Sequence, residues 1–351
     1  MQDIHEAIER INFFQKKYPA PTEDMYYGAG PYLRRFLGIP AFIPIKVLVD
    51  HAPREYDNPR QYQLEHKLPS FVTREAQRKM LLQHGRSAYV MGSHFVHYRR
   101  ENKIESSPRA LGTVSFPLHS THMADVVYNW DRYADQLLAL PQEFQPVTVC
   151  LYWKDILNKS HEIFLKKKIP VVTSGHLVDP EFLKNFYEIL RQYKYVTSNM
   201  LGSYAYFAVE MGVPFFLYGD EALFNNTGGD TYRPSGIYSI NVRPGYKEAA
   251  DFFNFSSFKD IQITPAIRNM CFEKLGFDRP IDDKNCLRKV IYISLFRDVQ
   301  MNVAAHLRLW FKKIYIAFLG EQSYVKLKNK FKKSDLKKVD ADTYASGGNF
   351  P

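Results

Sequence analysis

The chain has 351 residues, of which 45% are hydrophobic and 24% are charged. This composition excludes a disordered protein, and the length suits about two domains of roughly 150 residues each. The formal net charge of +10 allows nucleic acid, anionic lipid or phosphorylated small molecules as partners. Much of the positive excess lies in residues 307–338, so we expect no nucleic-acid partner for the rest of the chain.

The cysteines and the N-terminal residues indicate the cellular setting. Cys150, Cys271 and Cys286 are odd in number, far apart and without C-x-x-C spacing, which argues against a disulfide framework and against a zinc site. The N-terminal residues are polar and amphipathic, unlike the core of a signal peptide. The sequence has no run of about 18 apolar residues that could span a membrane. We therefore expect a cytoplasmic protein.

The elements of the N-terminal half are predicted from apolar spacing and from Pro and Gly. Residues 1–17 are predicted to be helical because Ile4, Ile8, Ile11 and Phe14 recur at helical spacing. The next stretch is interrupted by Pro and Gly, which predicts loop with short helical pieces. Further predictions are strands at residues 43–53, 87–93 and 112–121 and helices at residues 73–85 and 130–140.

From residue 147, apolar runs alternate regularly with amphipathic segments. The predicted strands are residues 147–153, 169–175, 195–199 and 214–219, and the predicted helices are residues 161–168, 180–193 and 203–212. This alternation is typical of βαβ units on a parallel sheet, whose strands are buried on both faces. We predict an α/β fold with two parallel-sheet domains that meet near residues 141–146. The predicted parts are domains at residues 1–145 and 146–290, a terminal helix with a basic tail at residues 291–338, and a disordered tail at residues 339–351.

The sharpest candidate site is the segment from Ser198 to Glu210. Here a predicted strand turns into a helix that starts with Gly202 and Ser203. Free N–H groups and the dipole at a helix start suit a phosphate, and Gly202 would allow its close approach. Glu210 lies about two helical turns after Ser203 and could reach a ribose hydroxyl. The alternatives are helix capping by Ser198 and Ser203 and a solvated surface position for Glu210.

Polar residues after other strands are candidates for catalysis, because ligands of open parallel sheets bind beyond the carboxyl ends of the strands. His119 follows one predicted strand and could act as a general base on a sugar hydroxyl or neutralise a phosphate. Gly175 and His176 follow another, and Asp179 precedes the next helix. A structural hydrogen bond for the histidines and an N-cap for Asp179 are the alternatives.

The sequence lacks the motifs of several enzyme classes. It has no P-loop, no G-x-G-x-x-G after a first strand and no G-x-S-x-G. NAD-linked, kinase and hydrolase activities therefore lose their main support, and we expect no cofactor. His94 and His97 have no carboxylate or cysteine at metal-site spacing, and the Asp-x-Asp at residues 340–342 lies in the predicted disordered tail. We therefore expect no metal site.

Three stretches resemble a known enzyme family. The segments "GTVSFPLHST", "IPVVTSGHLVDPEFL" and "YVTSNMLGSYAYFAVEMGVPFFLYG" resemble bacterial GT-B-type glycosyltransferases encoded with surface-polysaccharide genes (O-antigen lipopolysaccharide or capsule). The resemblance covers residues 85–220. In that family two Rossmann-like domains face each other across a cleft, and the chemistry usually needs no bound metal. The resemblance implies that residues 1–145 form the acceptor side and residues 146–290 the nucleotide-sugar side.

The resemblance also implies roles for individual residues. The family binds the nucleotide sugar with a Ser/Thr-Gly turn at a helix start and with a glutamate later in that helix. In this sequence, the corresponding residues are Ser198, Asn199, Gly202, Ser203 and Glu210. The first glutamate of the family's E-x7-E pair is missing, so the donor is not identified. An acceptor site in the N-terminal domain makes His119 the first candidate for catalysis.

The basic tail predicts a membrane surface as a partner. Its segment "AAHLRLWFKKIYIAFLG" mixes aromatic and basic residues and is followed by "KLKNKFKK", a pattern typical of helices that lie on anionic membranes. The alternative is a terminal helix at residues 291–319 that packs on the N-terminal domain. We expect a glycosyltransferase at the inner face of the cell membrane, with a lipid-linked glycan acceptor. The alternatives are a nucleotide-sugar epimerase or another glycan-modifying transferase on this fold, and a non-catalytic scaffold in polysaccharide assembly.

Overall fold

The computed structural model describes residues 3–19, 23–50, 52–53, 58–121, 124–226, 235–297, 300, 312 and 326. The chain divides into two compact units, Met1–Ile291 and Tyr292–Pro351. In the second unit, residues 292–297 are helical. Apart from residues 291–297, 300, 312 and 326, the predicted terminal helix and basic tail lie outside the described residues, and so does the predicted disordered tail. Among the residues described, no helix is long and apolar enough to cross a membrane.

Helices cover the sheets of the first unit, and most of those predicted from the sequence are present. The N-terminal helix begins where the Asp3 side chain accepts the N–H of His5 at 2.8 Å, and it buries Ile11 and Phe14. The helices are α1 (Ile4–Lys17), α2 (Ala29–Leu37), α3 (Gln61–Glu65), α4 (Glu75–Gln83), α5 (His94–Glu101), α6 (Trp130–Leu138), α7 (Trp153–Leu157), α8 (His161–Lys166), α9 (Phe182–Leu190), α10 (Ser203–Met211), α11 (Tyr246–Asp251) and α12 (Pro265–Leu275). Residues 284–291 are also helical.

The first sheet is parallel and small. In the described residues it contains β1 (Leu48–Val49), β2 (Ser70–Val72) and β3 (Ala88–Val90), in that spatial order. Leu48 is opposite Ser70, and Ser70 is opposite Ala88. All three strands are short and mostly buried. The strand predicted at residues 43–53 is thus reduced to two residues, and β2 was not predicted because three residues show no periodicity.

The second sheet has the strand order of a Rossmann-like half. Its described strands are β4 (Thr113–Ser115), β6 (Val147–Cys150), β7 (Val171–Val172), β8 (Tyr195–Ser198) and β9 (Phe215–Leu217). All pairs are parallel, and the spatial order is β7-β6-β4-β8-β9. Numbered along the chain, this order reads 3-2-1-4-5. The chain therefore reverses its direction of winding between β4 and β8, which is the topological switch point of such sheets.

The predicted boundary near residues 141–146 lies within the second sheet and its connections. Strand β4, which precedes this segment, pairs with β6 and β8, which follow it. Phe144 within the segment is 1% exposed, and its ring lies 4.6 Å from Tyr195 and 5.2 Å from Phe216. Pro141 and Pro146 therefore flank a connection between α6 and β6 whose Phe144 is buried in the core, although the two residues before Phe144 are exposed.

A third, antiparallel sheet was not predicted. It contains β5 (Asp125–Val127), β10 (Leu223–Asn226) and β11 (Gly236–Ser239) in the described part of the chain, with β10 in the centre. Strand β5 has exposed residues at both ends, so it lacks the apolar run that marks a buried strand. Because β5 follows β4 and β10 follows β9, this sheet lies beyond the carboxyl ends of the second sheet.

The two parallel sheets share a hydrophobic core. One buried cluster contains Val49 and Phe71 from the first sheet and Val114, Val196 and Phe215 from the second. Phe95 of α5 extends this cluster, because its ring stacks on Phe207 of α10 at 4.3 Å and 7°. The predicted α/β fold with parallel sheets is confirmed, and both sheets belong to the same compact unit.

Candidate functional site

A cavity of about 100 Å³ lies at the topological switch point of the second sheet. Ligands of open α/β sheets bind in the crevice outside the carboxyl ends of the strands at this point. The wall includes residues that follow β4, β6 and β7 and the first residues of α10. Six of them are Pro117, His119, Tyr152, Ser174, Gly175 and Ser203.

The first sheet contributes to the same cavity. Ala52 follows β1, and Phe95 lies in the helix after β3. The inner wall is aromatic, with Phe116, Phe186 and Phe207 beside Phe95. An apolar wall with a few polar groups at its edge is typical of sites for small ligands.

The cavity is small in this conformation. At about 30 Å³ for a water molecule, a volume near 100 Å³ holds only a few waters, whereas sites for drug-sized ligands measure roughly 300–1,000 Å³. A ligand as large as a nucleotide sugar exceeds this volume, so it would extend from the cavity toward solvent or displace side chains of the wall.

His119 lies in the cavity wall with a neutral ring. Its ring stacks on Tyr152, with centroids 4.1 Å apart. The Nδ1 atom lies 3.0 Å from the carbonyl oxygen of Ser120, so Nδ1 carries the proton and donates it, and Nε2 keeps a lone pair. Burial lowers the pKa of His119 below its ordinary value, which keeps the ring neutral at pH 7.

The turn before α10 is fixed by its own side chains. The Ser198 Oγ accepts the N–H of Met200 at 3.2 Å and lies 2.7 Å from the Tyr204 hydroxyl. Asn199 joins the turn to neighbouring loops, because its Oδ1 accepts the N–H of Leu118 at 2.9 Å. This contact connects the two loops on either side of the switch point. Ser198 and Asn199 therefore hold the turn beside the cavity in place.

The predicted phosphate position at the start of α10 is partly occupied by Tyr204. A Cβ atom on Gly202 would lie 2.5 Å from the Tyr204 ring, and this ring also stacks on Phe116 at 5.2 Å and 13°. Its hydroxyl donates to the carbonyl oxygen of Met200 at 2.8 Å. The helix begins at Ser203 as predicted. The space beside Gly202, where we predicted the close approach of a phosphate, contains an aromatic side chain.

Glu210 lies away from the cavity in a buried ion pair. Its side chain is 1% exposed. Its oxygens accept hydrogen bonds from Arg99 Nε at 2.6 Å and Arg99 Nη2 at 2.7 Å, and from Arg100 Nε at 3.1 Å. Both oxygens are thus engaged by α5. The surface position that we kept as an alternative is wrong, because α5 covers this side of α10.

His176 and Asp179 make internal contacts on the far side of the β7 loop. His176 Nδ1 accepts the N–H of Val178 at 3.4 Å, so Nε2 donates to Gln15 at 3.0 Å. Burial lowers the pKa of His176 to about 4. Asp179 is fully buried and binds Arg10 through two hydrogen bonds of 2.5 and 2.7 Å. For His176 these contacts match the hydrogen-bonded structural alternative. Asp179 is not the N-cap that we kept as its alternative, because α9 begins at Phe182 and Glu181 lies at the cap position.

Gly175 borders the cavity, and its backbone conformation favours glycine. Its φ is +97°, and a Cβ atom there would lie 3.2 Å from the Asp179 carboxylate. Of the predicted site residues, the structure therefore brings His119, Gly175 and Ser203 to the cavity wall. Ser198, Asn199 and Gly202 form the adjoining turn, and His176, Asp179 and Glu210 are held elsewhere.

Two residues that we did not select belong to this region. Tyr152 forms part of the cavity wall and stacks on His119, and Asp155 is 1% exposed beneath the loop of His119. Burial raises the pKa of Asp155 to about 7. Tyr152 lies next to the last residue of the predicted strand at 147–153, and Asp155 lies two residues after this strand. This position at the carboxyl end of a strand was the available signal. The described residues contain no group of three or more His, Cys, Asp or Glu that could hold a metal ion.

Comparisons with known proteins give limited information. No family model matches the chain, and no curated protein matches it. One solved structure to which it is similar is an S. aureus MnaA–UDP co-structure, with a TM-score of 0.34 and 11% identity. The similarity covers 92% of this chain and 84% of that chain. A TM-score of this size does not establish a shared fold or a shared function.

Proposed function

We propose that the protein is an enzyme that acts on a nucleotide-activated sugar, and more specifically a glycosyltransferase. The observation that carries this proposal is the cavity at the switch point, where neutral His119 and the N-terminal end of α10 share one wall. A neutral histidine can take the proton of an acceptor hydroxyl, and the N–H groups at a helix start can bind the phosphates of a donor.

In the proposed reaction, the acceptor hydroxyl gives its proton to Nε2 of His119. The acceptor oxygen forms a bond to the anomeric carbon of the donor sugar, while the bond from that carbon to the phosphate oxygen breaks. The nucleotide leaves with the electron pair on its phosphate oxygen. The N–H groups and the dipole at the start of α10 stabilise the charge that develops on it.

The order of the second sheet and the sequence resemblance support a GT-B-like arrangement with two Rossmann-like halves. On this proposal the acceptor is a surface glycan, and a lipid-linked acceptor at the inner face of a bacterial membrane suits the basic composition of residues 307–338. Binding of the donor requires Tyr204 to leave Gly202, because the ring fills the space beside the first turn of α10.

The proposal is tested by turnover of labelled UDP-, GDP-, CMP-, CDP- and dTDP-sugars, with and without a membrane extract as the source of acceptor. We expect label in a glycan product with one donor, and loss of this product in His119→Asn. The matched control is His84→Asn, because exposed His84 also has its Nδ1 near a carbonyl oxygen, at 2.9 Å from Met80. Conversion of the donor alone would support an epimerase, and full activity of His119→Asn would refute the assigned role.

A further inference from the structure

Resting on the proposed function, we propose that Asp155 is a positioning residue, which fixes the orientation and the tautomer of His119 through the peptide groups of Ser120. Asp155 is not among the described residues that line the cavity, so it acts on the ligand only through His119.

Ser120 is the connection between the two side chains. Its N–H points to the Asp155 carboxylate, with distances of 3.4 Å to Oδ1 and 3.3 Å to Oδ2. Its carbonyl oxygen accepts the Nδ1 proton of His119 at 3.0 Å. Its Oγ accepts the N–H of Val126 at 3.2 Å. Ser120 is 2% exposed. Its N–H belongs to the peptide plane shared with His119, and its carbonyl to the plane shared with Thr121, whose N–H donates to the carbonyl oxygen of Ala124 at 2.8 Å.

The orientation of the Ser120 carbonyl determines which nitrogen of His119 is the base. While this carbonyl accepts from Nδ1, the lone pair stays on Nε2. If the peptide rotates, Nδ1 loses its acceptor and the ring is free to change tautomer. Asp155 therefore affects the base without touching it.

Other contacts hold the same loop at different residues. Asn199 accepts the N–H of Leu118 at 2.9 Å, and Lys154 donates to the carbonyl oxygen of Thr121 at 2.6 Å. These contacts fix the loop on both sides of Ser120. Asp155 contacts the residue whose carbonyl faces His119, which distinguishes its effect from general support of the loop.

The surroundings of Asp155 make its charge sensitive to pH. Burial raises its pKa to about 7, contacts with Ser120 and the charge of Lys154 oppose this shift, and Asp125 adds to it. The Tyr128 hydroxyl also interacts with Asp155. The ionised carboxylate accepts through both oxygens, whereas the protonated form has one donor. The hold on Ser120 thus strengthens as pH rises through neutrality.

The test is NMR of the full chain labelled with ¹⁵N-histidine, since the nitrogen shifts report the tautomer directly and need no turnover. The His119→Asn variant assigns the signal. We expect the Nδ1–H tautomer in the wild-type protein, a mixture in Asp155→Ala, and the Nδ1–H tautomer in Asp155→Asn, which keeps an acceptor oxygen. The control is Asp125→Asn, because Asp125 is 57% exposed and pairs with Lys154 at 2.7 Å.

An unchanged tautomer in Asp155→Ala, or an equal change in Asp125→Asn, would overturn the proposal. If Asp155→Ala does not fold, the pH titration of the His119 nitrogen signals is the test. We expect an inflection near pH 7 in the wild-type protein and none in Asp155→Asn. An inflection near pH 7 that persists in Asp155→Asn would overturn the proposal. Where transfer activity is found, kcat of Asp155→Ala should fall about tenfold to a hundredfold, part of the ~10²–10⁴ of general acid–base catalysis, with an unchanged KM for the donor. Failure of the proposed function would leave the tautomer result intact, so the two failures can be told apart.

Discussion

Replacement of Glu210 distinguishes a structural role from the ligand-binding role that its sequence position suggests. The carboxylate is 1% exposed and meets Arg99, whose side chain is 15% exposed. Arg100 also contacts it, at 3.0 Å, but is 41% exposed. Glu210→Ala removes the acceptor from both arginines and leaves the Arg99 guanidinium buried without it.

The magnitude follows from these exposures. Removal of one partner of a buried ion pair costs about 3–5 kcal/mol, because an uncompensated charge remains. Arg100 can turn to water and adds little, since exposed pairs contribute about 0–1 kcal/mol. We therefore expect Glu210→Ala to lower the free energy of unfolding by about 3–4 kcal/mol. At roughly 2 °C per kcal/mol for a chain of this size, the melting temperature should fall by about 5–10 °C.

The assay is urea denaturation combined with nucleotide-sugar binding. The control is Glu188→Ala, because Glu188 is 51% exposed in its pair with Arg191 and should change stability by less than about 1 kcal/mol. A Glu210→Ala protein as stable as Glu188→Ala would refute the reasoning. Wild-type stability with weaker nucleotide binding would instead support contact with a ribose hydroxyl.

Three further predictions concern pH and packing. Burial raises the folded-state pKa of Asp155 to about 7, above an unfolded value of about 3.9, so the stability of the wild-type protein falls as pH rises through this window. In urea denaturation, the free energy of unfolding of Asp155→Asn should gain about 2–3 kcal/mol relative to wild type between pH 5 and pH 8. A difference between the two proteins that stays constant with pH would contradict this. Burial lowers the pKa of His176 to about 4, so the contribution of the neutral ring to stability is lost as pH falls from about 6.5 to about 4. In the same assay, His176→Gln should lose less stability over this pH range than the wild-type protein. An equal loss in both proteins would contradict this. In Gly202→Ala the new Cβ meets the Tyr204 ring, which should cost about 1–3 kcal/mol; a double-mutant cycle with Tyr204→Ala should show coupling, and additive effects would exclude the clash.

The parallel strands after residue 147 could be predicted because each is an apolar run of sufficient length next to an amphipathic helix. The place of residues 141–146 in the fold could not be predicted, because two prolines with exposed residues between them are also typical of a linker between domains. Only long-range pairing shows that β4 belongs with β6 and β8. The antiparallel sheet was missed for a related reason, since its strands are partly exposed and lack apolar runs.

Three of the predicted site residues lie in the cavity wall, and each follows a parallel strand. His119, Gly175 and Ser203 reach the cavity because the carboxyl ends of parallel strands converge. The contacts of Glu210 depend on α5, which is distant in sequence, so its ion pair could not be foreseen. The covering of Gly202 by Tyr204 depends on a side-chain rotamer, which sequence spacing does not specify.

The most direct test of the account is calorimetric titration of the full chain with UDP-, GDP-, CMP-, CDP- and dTDP-sugars. The same titration is made on Ser203→Tyr, which places a bulky side chain in the cavity wall, and on Ser106→Tyr, which makes the same change at an exposed position. We predict that one nucleotide class binds the wild-type protein and Ser106→Tyr, and that this binding is lost in Ser203→Tyr. Absence of binding to every nucleotide sugar, or binding that Ser203→Tyr leaves unchanged, would contradict a nucleotide-sugar site at the switch point.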